Sequence, residues 1–220
     1  MIDSDNRFAL IGAHLREEDV ANVEGVTVLA AGGLVLSALA FEAARGIADR
    51  QVIGEVATAR AALIRRELFV AIRYGISVRD SKEASDKCTS FLDRWRELLT
   101  QFRGCIEMTL KIASPGSGSR PDSKQFQSGS DYLRELHRSR SAKSLDAPVR
   151  EMIERELFPL SLQRRWVDRQ DGGIELAFLM QRDRLDSAAA FATRMKEHFP
   201  ELPFLLSGPW PLEIFANDEQ

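Results

Sequence analysis

The chain has very little cysteine for its length. Only two of its 220 residues are cysteines, Cys88 and Cys105, and they form no Cys-x-x-Cys motif and have no histidine nearby. This spacing excludes the common zinc and thioredoxin-type motifs and indicates a reducing compartment. We therefore predict that both cysteines are small buried hydrophobic residues rather than nucleophiles.

An excess of charge of one sign is also missing. Lysine and arginine total 30, aspartate and glutamate total 33, and the formal net charge is −3. A dedicated nucleic-acid binder, or a protein that binds anionic membranes, would carry a basic excess. The composition therefore argues against nucleic acid and lipid membrane as partners.

Long hydrophobic runs are absent as well. The uncharged stretch over residues 26–41 would be only about 24 Å long as a helix, which is shorter than the roughly 30 Å hydrocarbon core of a bilayer. Its valines and its Gly32-Gly33 pair favour two strands around a glycine turn. The N-terminus lacks the basic region of a secretory signal, so the sequence predicts a cytoplasmic protein.

The sequence contains none of the short motifs that mark a catalytic or metal site. His14, His137 and His198 are scattered, and none has a metal-binding partner three or four residues further along its own predicted helix. The Gly-Ser-Gly tract at residues 116–118 matches no phosphate-binding motif, so we interpret it as a linker. We predict no catalytic, cofactor-binding or metal-binding residue, and no enzymatic activity.

The first 80 residues follow a β-β-β-α-β order. The predicted elements are strands over residues 8–15, 26–30, 34–41 and 68–78 and an amphipathic helix whose apolar stripe is Val52, Val56, Ala59 and Leu63. We expect these elements to form an N-terminal α+β domain over residues 1–80.

The remaining residues follow an α-β-α-β-α-β order. Asp80 and Glu83 have the spacing of a capping box, and an apolar stripe from Ala84 to Phe102 predicts one helix that ends at Gly104. The next predicted elements are a half-buried strand over 105–112, a flexible loop over 114–130 and, over 131–169, either one long broken helix or a helical hairpin. They are followed by a strand over 174–181, a helix over 185–199 and a short strand over 204–206. This order suits a ferredoxin-like sheet, so we expect a second α+β domain over residues 81–220.

Five segments occur in the order found in one known family. They are Ala71-Ile-Arg-Tyr-Gly-Ile-Ser-Val78, Gly104-Cys-Ile-Glu-Met-Thr-Leu-Lys111, Ser128-Gly-Ser-Asp-Tyr-Leu133, Ile174-Glu-Leu-Ala-Phe-Leu-Met180 and Phe204-Leu-Leu-Ser-Gly-Pro-Trp-Pro-Leu-Glu-Ile-Phe215. The last segment resembles the closing Gly-Pro-Trp-Pro signature of the GvpL/GvpF family of gas vesicle proteins. The resemblance implies structural or partner-binding roles for Arg73, Tyr74, Gly75, Glu107, Tyr132, Leu133, Gly208, Pro209, Trp210 and Pro211.

The resemblance implies two α+β domains, the second of which is a modified ferredoxin-like fold with an extended helical segment. It implies a non-enzymatic accessory or minor structural protein of gas vesicle assembly. Such a protein would bind the small hydrophobic shell protein GvpA, work with other gas vesicle accessory proteins and need no cofactor. It would act in the cytoplasm and at the vesicle, on the gas-facing side for GvpF-type members. Whether this chain is GvpF-like or GvpL-like stays open.

Two other classes of function also stay open. One is a ferredoxin-like adaptor of another protein assembly, and the other is a small-molecule enzyme that uses a cleft between the domains. A bound ligand or a strongly perturbed buried carboxylate would favour the enzyme.

The sequence suggests two candidate contact features. A shell protein with a large apolar surface needs shielding before it polymerises, and the three short N-terminal strands could offer an open sheet edge for strand addition. The alternative is that these strands are buried core. Trp210, held extended by Pro209 and Pro211, either closes the core of the second domain, which we favour, or anchors a partner.

Overall fold

The chain is an α+β protein, as predicted. The computed structural model describes residues 6–113, 128, 145–168 and 173–216. The helices among them are α1 (Arg50–Ile64), α2 (Ser81–Cys88), α3 (Leu92–Gln101), α4 (Ala147–Glu156) and α5 (Leu185–His198). The strands are β1 (Asn6–His14), β2 (Val26–Ala31), β3 (Leu34–Glu42), β4 (Val70–Ala71), β5 (Ser77–Val78), β6 (Cys105–Ile112), β7 (Ser161–Asp168), β8 (Ile174–Gln181) and β9 (Phe204–Trp210). The predicted flexible loop over 114–130, except Ser128, lies outside the described residues.

Contacts divide the chain into two units. Unit 1 comprises residues 1–106 and 209–220, and unit 2 comprises residues 107–208. The chain passes from unit 1 into unit 2 within β6 and returns within β9. A division by contacts does not test which segments fold on their own, so the domains 1–80 and 81–220 stay a prediction.

The sheet of unit 1 is built on an antiparallel hairpin. Its strand order is β2-β3-β1-β4, and β5 also pairs with β1. β2 and β3 are joined by Gly32 and Gly33, whose φ angles of +53° and +79° are those of a two-residue hairpin turn with positive φ at both positions, a conformation that glycine adopts readily. The glycine-turn hairpin predicted from the sequence is therefore confirmed.

Helix α1 packs on this sheet through the stripe that the sequence predicts. Its N-cap residue is Asp49, whose carboxylate accepts a hydrogen bond from the Gln51 N–H at 2.8 Å and so satisfies a free amide of the first turn. The buried cluster beneath the helix comprises Ala9, Ile11, Val20, Val23, Leu39, Phe41, Val52, Val56, Ala59, Leu63 and Phe69. The periodicity of the helix thus identifies its buried face correctly.

A buried polar pair lies in the sheet of unit 1. The Ser37 hydroxyl donates to the Gly12 carbonyl oxygen at 3.2 Å and lies 2.9 Å from the His14 Nε2. Since the Ser37 hydroxyl donates its proton to the Gly12 carbonyl oxygen, we assign the proton of the imidazole to Nε2, which donates to the Ser37 Oγ. The imidazole stacks on Phe69 with the ring centroids 5.0 Å apart, and its Nδ1 has no hydrogen-bond partner among the residues that the structure describes. Burial lowers the pKa of His14 from 6.5 to about 4, although the charge of Asp19 acts in the opposite direction.

The single helix predicted over residues 84–102 is wrong, because two helices, α2 and α3, occupy this segment with a turn between them. The Thr89 hydroxyl donates to the Ser85 carbonyl oxygen at 2.7 Å, a local bond that competes with regular helical bonding where α2 ends. The predicted helix start is confirmed, since the Asp80 carboxylate accepts from the Glu83 N–H at 2.8 Å.

The two cysteines are buried and form no disulfide, as predicted. Burial raises the pKa of the Cys88 thiol and of the Cys105 thiol. Both side chains therefore stay protonated at neutral pH and are poor nucleophiles.

The sheet of unit 2 has the strand order β7-β8-β6-β9. Strand β6 lies between two other strands, and all of its residues except Lys111 are buried, which corrects the prediction that it is buried on one face only. Its polar residues Glu107 and Thr109 are buried as well. The Thr109 hydroxyl lies 2.8 Å from the Ser207 hydroxyl of β9, so the two strands are also joined by their side chains.

The helical prediction over residues 131–169 is wrong at its C-terminal end, where residues 161–168 form β7. This strand pairs antiparallel with β8, with Arg164 opposite Phe178 and Trp166 opposite Leu176. Pairing with an apolar strand outweighs the weak helical periodicity of a segment rich in arginine. Helix α4 has Pro148 in its first turn, a position that suits a residue without an N–H.

Candidate interaction surfaces

Gly208 in β9 lies directly beside the backbone of β6. A Cβ added to Gly208 would lie 3.0 Å from the Glu107 carbonyl oxygen, 3.3 Å from the Met108 Cα and 2.5 Å from the Met108 Sδ. Its φ of +133° is also one that residues with side chains rarely adopt. The glycine of the C-terminal motif is therefore required both by its own backbone and by the close approach of the neighbouring strand.

Trp210 ends β9 with 42% of its surface exposed. Pro209 and Pro211 flank it and restrict the backbone to an extended conformation, in agreement with the strand. The prediction that the indole closes a core is wrong, because a residue that fills a core is almost wholly buried. A rigidly held, exposed indole is suited to contact with another molecule.

Replacing Trp210 with alanine should lower the free energy of unfolding by less than about 1.5 kcal/mol, since a half-exposed side chain loses little on truncation, whereas a buried aromatic loses roughly 3–5 kcal/mol. Urea denaturation measures this difference. Phe178→Ala is the matched control, because Phe178 lies in the same sheet and is fully buried. Equal losses for the two variants would contradict the prediction.

Beyond Trp210, the chain is held by β4. Leu212 forms a parallel bridge with Val70. Its N–H donates to the Phe69 carbonyl oxygen at 2.8 Å, and its carbonyl oxygen accepts from the Ala71 N–H at 3.0 Å. Leu212 is fully buried. The exposed indole is thus flanked on its C-terminal side by a segment that is fixed by backbone hydrogen bonds.

Arg73, Tyr74 and Gly75 lie on an exposed turn between β4 and β5. The strand predicted over residues 68–78 is therefore confirmed only at Val70–Ala71 and Ser77–Val78. The Tyr74 hydroxyl donates to the Ile47 carbonyl oxygen, which ties the turn to the segment that precedes α1.

The structure brings together only some of the family-motif positions. Glu107 is buried in β6, and its carbonyl oxygen is a close neighbour of Gly208. Tyr132 and Leu133 lie outside the described residues. A partner-binding role for the motif positions stays a prediction.

The outermost strand β2 is a second candidate surface. β1 and β3 have strands on both sides, whereas β2 pairs only with β3 among the described residues. Its sequence, Val-Thr-Val-Leu-Ala-Ala, contains neither a charge nor a proline. Edge strands commonly carry charged residues or proline, which discourage pairing with another chain, and β2 has neither. The sequence pattern predicts the strand, but its edge position follows only from the strand order.

Within the parts of the chain that the structure describes, no cluster of three or more histidine, cysteine, aspartate or glutamate residues could hold a metal ion. A search of the same residues finds no helix with the length and apolarity needed to cross a membrane. Trp210 is one of several exposed large apolar side chains of the described residues, which also include Leu162, Trp166 and Leu205. Trp210 differs from these three in that proline flanks it on both sides.

These features define an α+β protein with two sheets, an exposed C-terminal indole and an outermost strand without charge or proline. Its residues 51–216 match the family described as gas vesicle synthesis protein GvpL/GvpF. The chain belongs to the GvpL/GvpF family, which confirms the resemblance noted in its sequence. Among curated protein sequences, no match is found.

Two solved structures share this fold. The crystal structure of the gas vesicle protein GvpF from Anabaena sp. PCC7120 is similar with a TM-score of 0.69 and 14% sequence identity, and the match covers 98% of each chain. The crystal structure of GvpF from Microcystis aeruginosa is similar with a TM-score of 0.69 and 12% identity, over 96% of this chain and 99% of that chain. At these identities the likeness shows a common fold.

Proposed function

We propose that the chain is a non-enzymatic accessory protein of gas vesicle assembly that binds the shell protein GvpA. The observation that carries the proposal is the family match over residues 51–216. The fold shared with two GvpF crystal structures along nearly the whole chain supports it. The family description names vesicle synthesis and no chemical reaction, so the proposal includes neither a catalytic residue nor a cofactor.

The proposal includes two α+β domains, the second with a modified ferredoxin-like fold. The order β6-α4-β7-β8-α5-β9 along the chain supports this assignment, because it is the β-α-β-β-α-β order of that fold. The strand order β7-β8-β6-β9 supports it as well, since the first strand lies between the third and the fourth. The part of the helical prediction over residues 131–144 lies outside the described residues.

The proposed partners are GvpA and other gas vesicle accessory proteins, and the proposed place of action is the cytoplasm and the vesicle, including its gas-facing side. The exposed indole of Trp210 supports contact with a protein, because tryptophan is enriched among the residues that dominate binding energy in protein interfaces. The near balance of charge gives no support to nucleic acid or lipid membrane as a partner.

Co-expression of the full, affinity-tagged chain with GvpA tests the proposal. We expect the wild-type chain to retain GvpA and Trp210→Ala to retain at least tenfold less, as expected for an interface residue whose loss costs about 1.4 kcal/mol or more. Ile53→Ala is the control, because Ile53 is exposed to the same extent as Trp210 but lies in α1.

The result for the wild-type chain decides between the functions. A wild-type chain that retains no GvpA would overturn the proposal. Specific retention of the components of a different assembly would favour the adaptor function. Loss of binding in Ile53→Ala but not in Trp210→Ala would move the binding surface away from the C-terminal motif.

A further inference from the structure

Along β2, residues whose backbone groups form hydrogen bonds with β3 alternate with residues whose backbone groups point to the outer side of the strand. The turn at Gly32 and Gly33 has two residues, so the flanking pair, Ala31 and Leu34, exchanges both of its backbone hydrogen bonds. In an antiparallel ladder, every second pair does the same. The direction of each amide of β2 therefore follows from the register.

Val28 and Ala30 direct their backbone groups outward. Thr27, Leu29 and Ala31 are the residues that bond to β3 in this register. In the described parts of the chain, the amides of Val28 and Ala30 make no backbone hydrogen bond outside the ladder. The outer side of β2 thus offers two donors and two acceptors at the spacing of a neighbouring strand.

An apolar shelf lies along the same edge. Val26, Val28 and Val35 pack against the buried cluster beneath α1 but are themselves only partly buried. A side chain on an added strand would lie next to Val26 and Val28 and remove more of their surface from water. The edge therefore combines backbone pairing with an apolar contact on one face.

The charge of this edge limits what can occupy it. No charged residue occurs between residues 26 and 41. A charged side chain of an added strand that pointed onto Val26 and Val28 would lose hydration against an apolar surface. The edge therefore suits a strand without charge on the side that faces the valines.

We propose that the outer edge of β2 binds an extended, uncharged, apolar segment of a partner protein as an additional strand. This inference rests on the proposed function, in which the partner is the hydrophobic shell protein GvpA. Backbone hydrogen bonds to Val28 and Ala30 would hold the segment, and the valine shelf would select apolar side chains. Capture at this edge keeps an apolar segment from pairing with other copies of itself.

A second copy of this chain is a poorer occupant. Two six-residue strands, each about 20 Å long, would bury roughly 400 Å² in total when paired at their edges. A stable dimer buries about 1,200–2,000 Å². Pairing of β2 with β2 of another copy is therefore too small by itself to hold a dimer, whereas a short segment can be held transiently.

The substitution Ala30→Pro tests the inference. Ala30 has an exposed side chain and an outward N–H, and proline is tolerated in an edge strand where the N–H faces solvent. The variant removes one donor of the edge and leaves the bonds to β3 in place. Ala30→Ser is the matched control, since it changes the same exposed side chain and keeps the N–H.

Retention of GvpA by the tagged full chain is measured for the wild type and both variants. We expect Ala30→Pro to retain at least tenfold less GvpA than the wild type and Ala30→Ser to retain a similar amount. Equal retention by all three would overturn the edge assignment and leave the proposed function intact. Failure of the wild type to retain GvpA would overturn both.

Two measurements on the wild type complete the test. Amide hydrogen exchange at Val28 and Ala30 should slow at least tenfold when GvpA is bound, and unchanged exchange in the complex would overturn the inference even if Ala30→Pro failed to fold. Sedimentation of the chain alone should show a monomer. A dimer that Ala30→Pro converts to a monomer would assign the edge to a second copy instead.

Discussion

We expect Gly208→Ala to lower the free energy of unfolding by about 4 kcal/mol. The φ of +133° would be imposed on a residue with a side chain, at a cost of roughly 1–3 kcal/mol. The new methyl group would also meet the backbone at Glu107 and Met108, and overpacking of this kind costs roughly 1–3 kcal/mol. The Met108 sulfur can move aside, but the Glu107 carbonyl oxygen belongs to a central strand and cannot.

Urea denaturation followed by circular dichroism measures the effect. Gly54→Ala is the matched control, because Gly54 lies on the exposed side of α1 and an added Cβ would meet no atom within 4 Å. Alanine is the better helix former, so this variant should gain about 0.5–1 kcal/mol. Replacing glycine with alanine is thus expected to lower the free energy of unfolding at position 208 and to raise it at position 54. A stable Gly208→Ala protein would mean that β9 can move away from β6.

Acid should destabilise the protein through His14. Its pKa is about 4 in the folded chain and 6.5 as the ordinary value, because burial disfavours the charged imidazolium. Above pH 6.5 the imidazole is neutral in both the folded and the unfolded chain, so the folded state pays no penalty for burying it and the contribution of His14 to the free energy of unfolding is fully present. The contribution is lost as the pH falls from 6.5 to about 4, and the complete loss corresponds to about 3 kcal/mol.

His14→Phe separates this contribution from those of carboxylates. Phenylalanine keeps a ring that can stack on Phe69 and leaves the Ser37 hydroxyl bonded to the Gly12 carbonyl oxygen. Glu83, whose pKa is lowered to about 2 by its hydrogen bonds to Arg79 and Lys87, loses its own contribution at lower pH in both proteins. The free energies of unfolding of wild type and variant should therefore diverge between pH 6.5 and 4. Parallel curves over this range would show that His14 is protonated in the folded chain without cost.

The sequence predicts best those elements whose burial pattern depends on local spacing. The stripe Val52, Val56, Ala59 and Leu63 identifies the buried face of α1, and the Gly32-Gly33 pair identifies the hairpin. The break between α2 and α3 was missed, because Ala84, Cys88 and Trp95 keep one helical stripe across a turn that a threonine side chain helps to close. β7 was missed because its pairing with β8 is a tertiary interaction that single-sequence periodicity does not contain.

The candidate surfaces were predictable only in part. The prolines around Trp210 predict an extended, rigid segment, and the strand β9 agrees with this. Whether the indole points into a core or outward depends on the neighbouring strands, and the preference for a core was wrong. The need for glycine at position 208 depends on the distance to β6, which no pattern in the sequence reveals. The signal that was available was the recurrence of Gly-Pro-Trp-Pro in one family.

The bridge between Val70 and Leu212 has a consequence for the order in which the molecule is made. A ribosome adds about 5–20 residues per second and releases the N-terminal part first. β4 is therefore synthesised several seconds before its partner segment, and during that interval its backbone at Phe69 and Ala71 lacks the bonds that Leu212 later supplies. Contacts between positions so distant in sequence are also slow to form. The nascent protein thus lacks these backbone hydrogen bonds in the sheet of unit 1, and the whole of unit 2 must be synthesised before they can form.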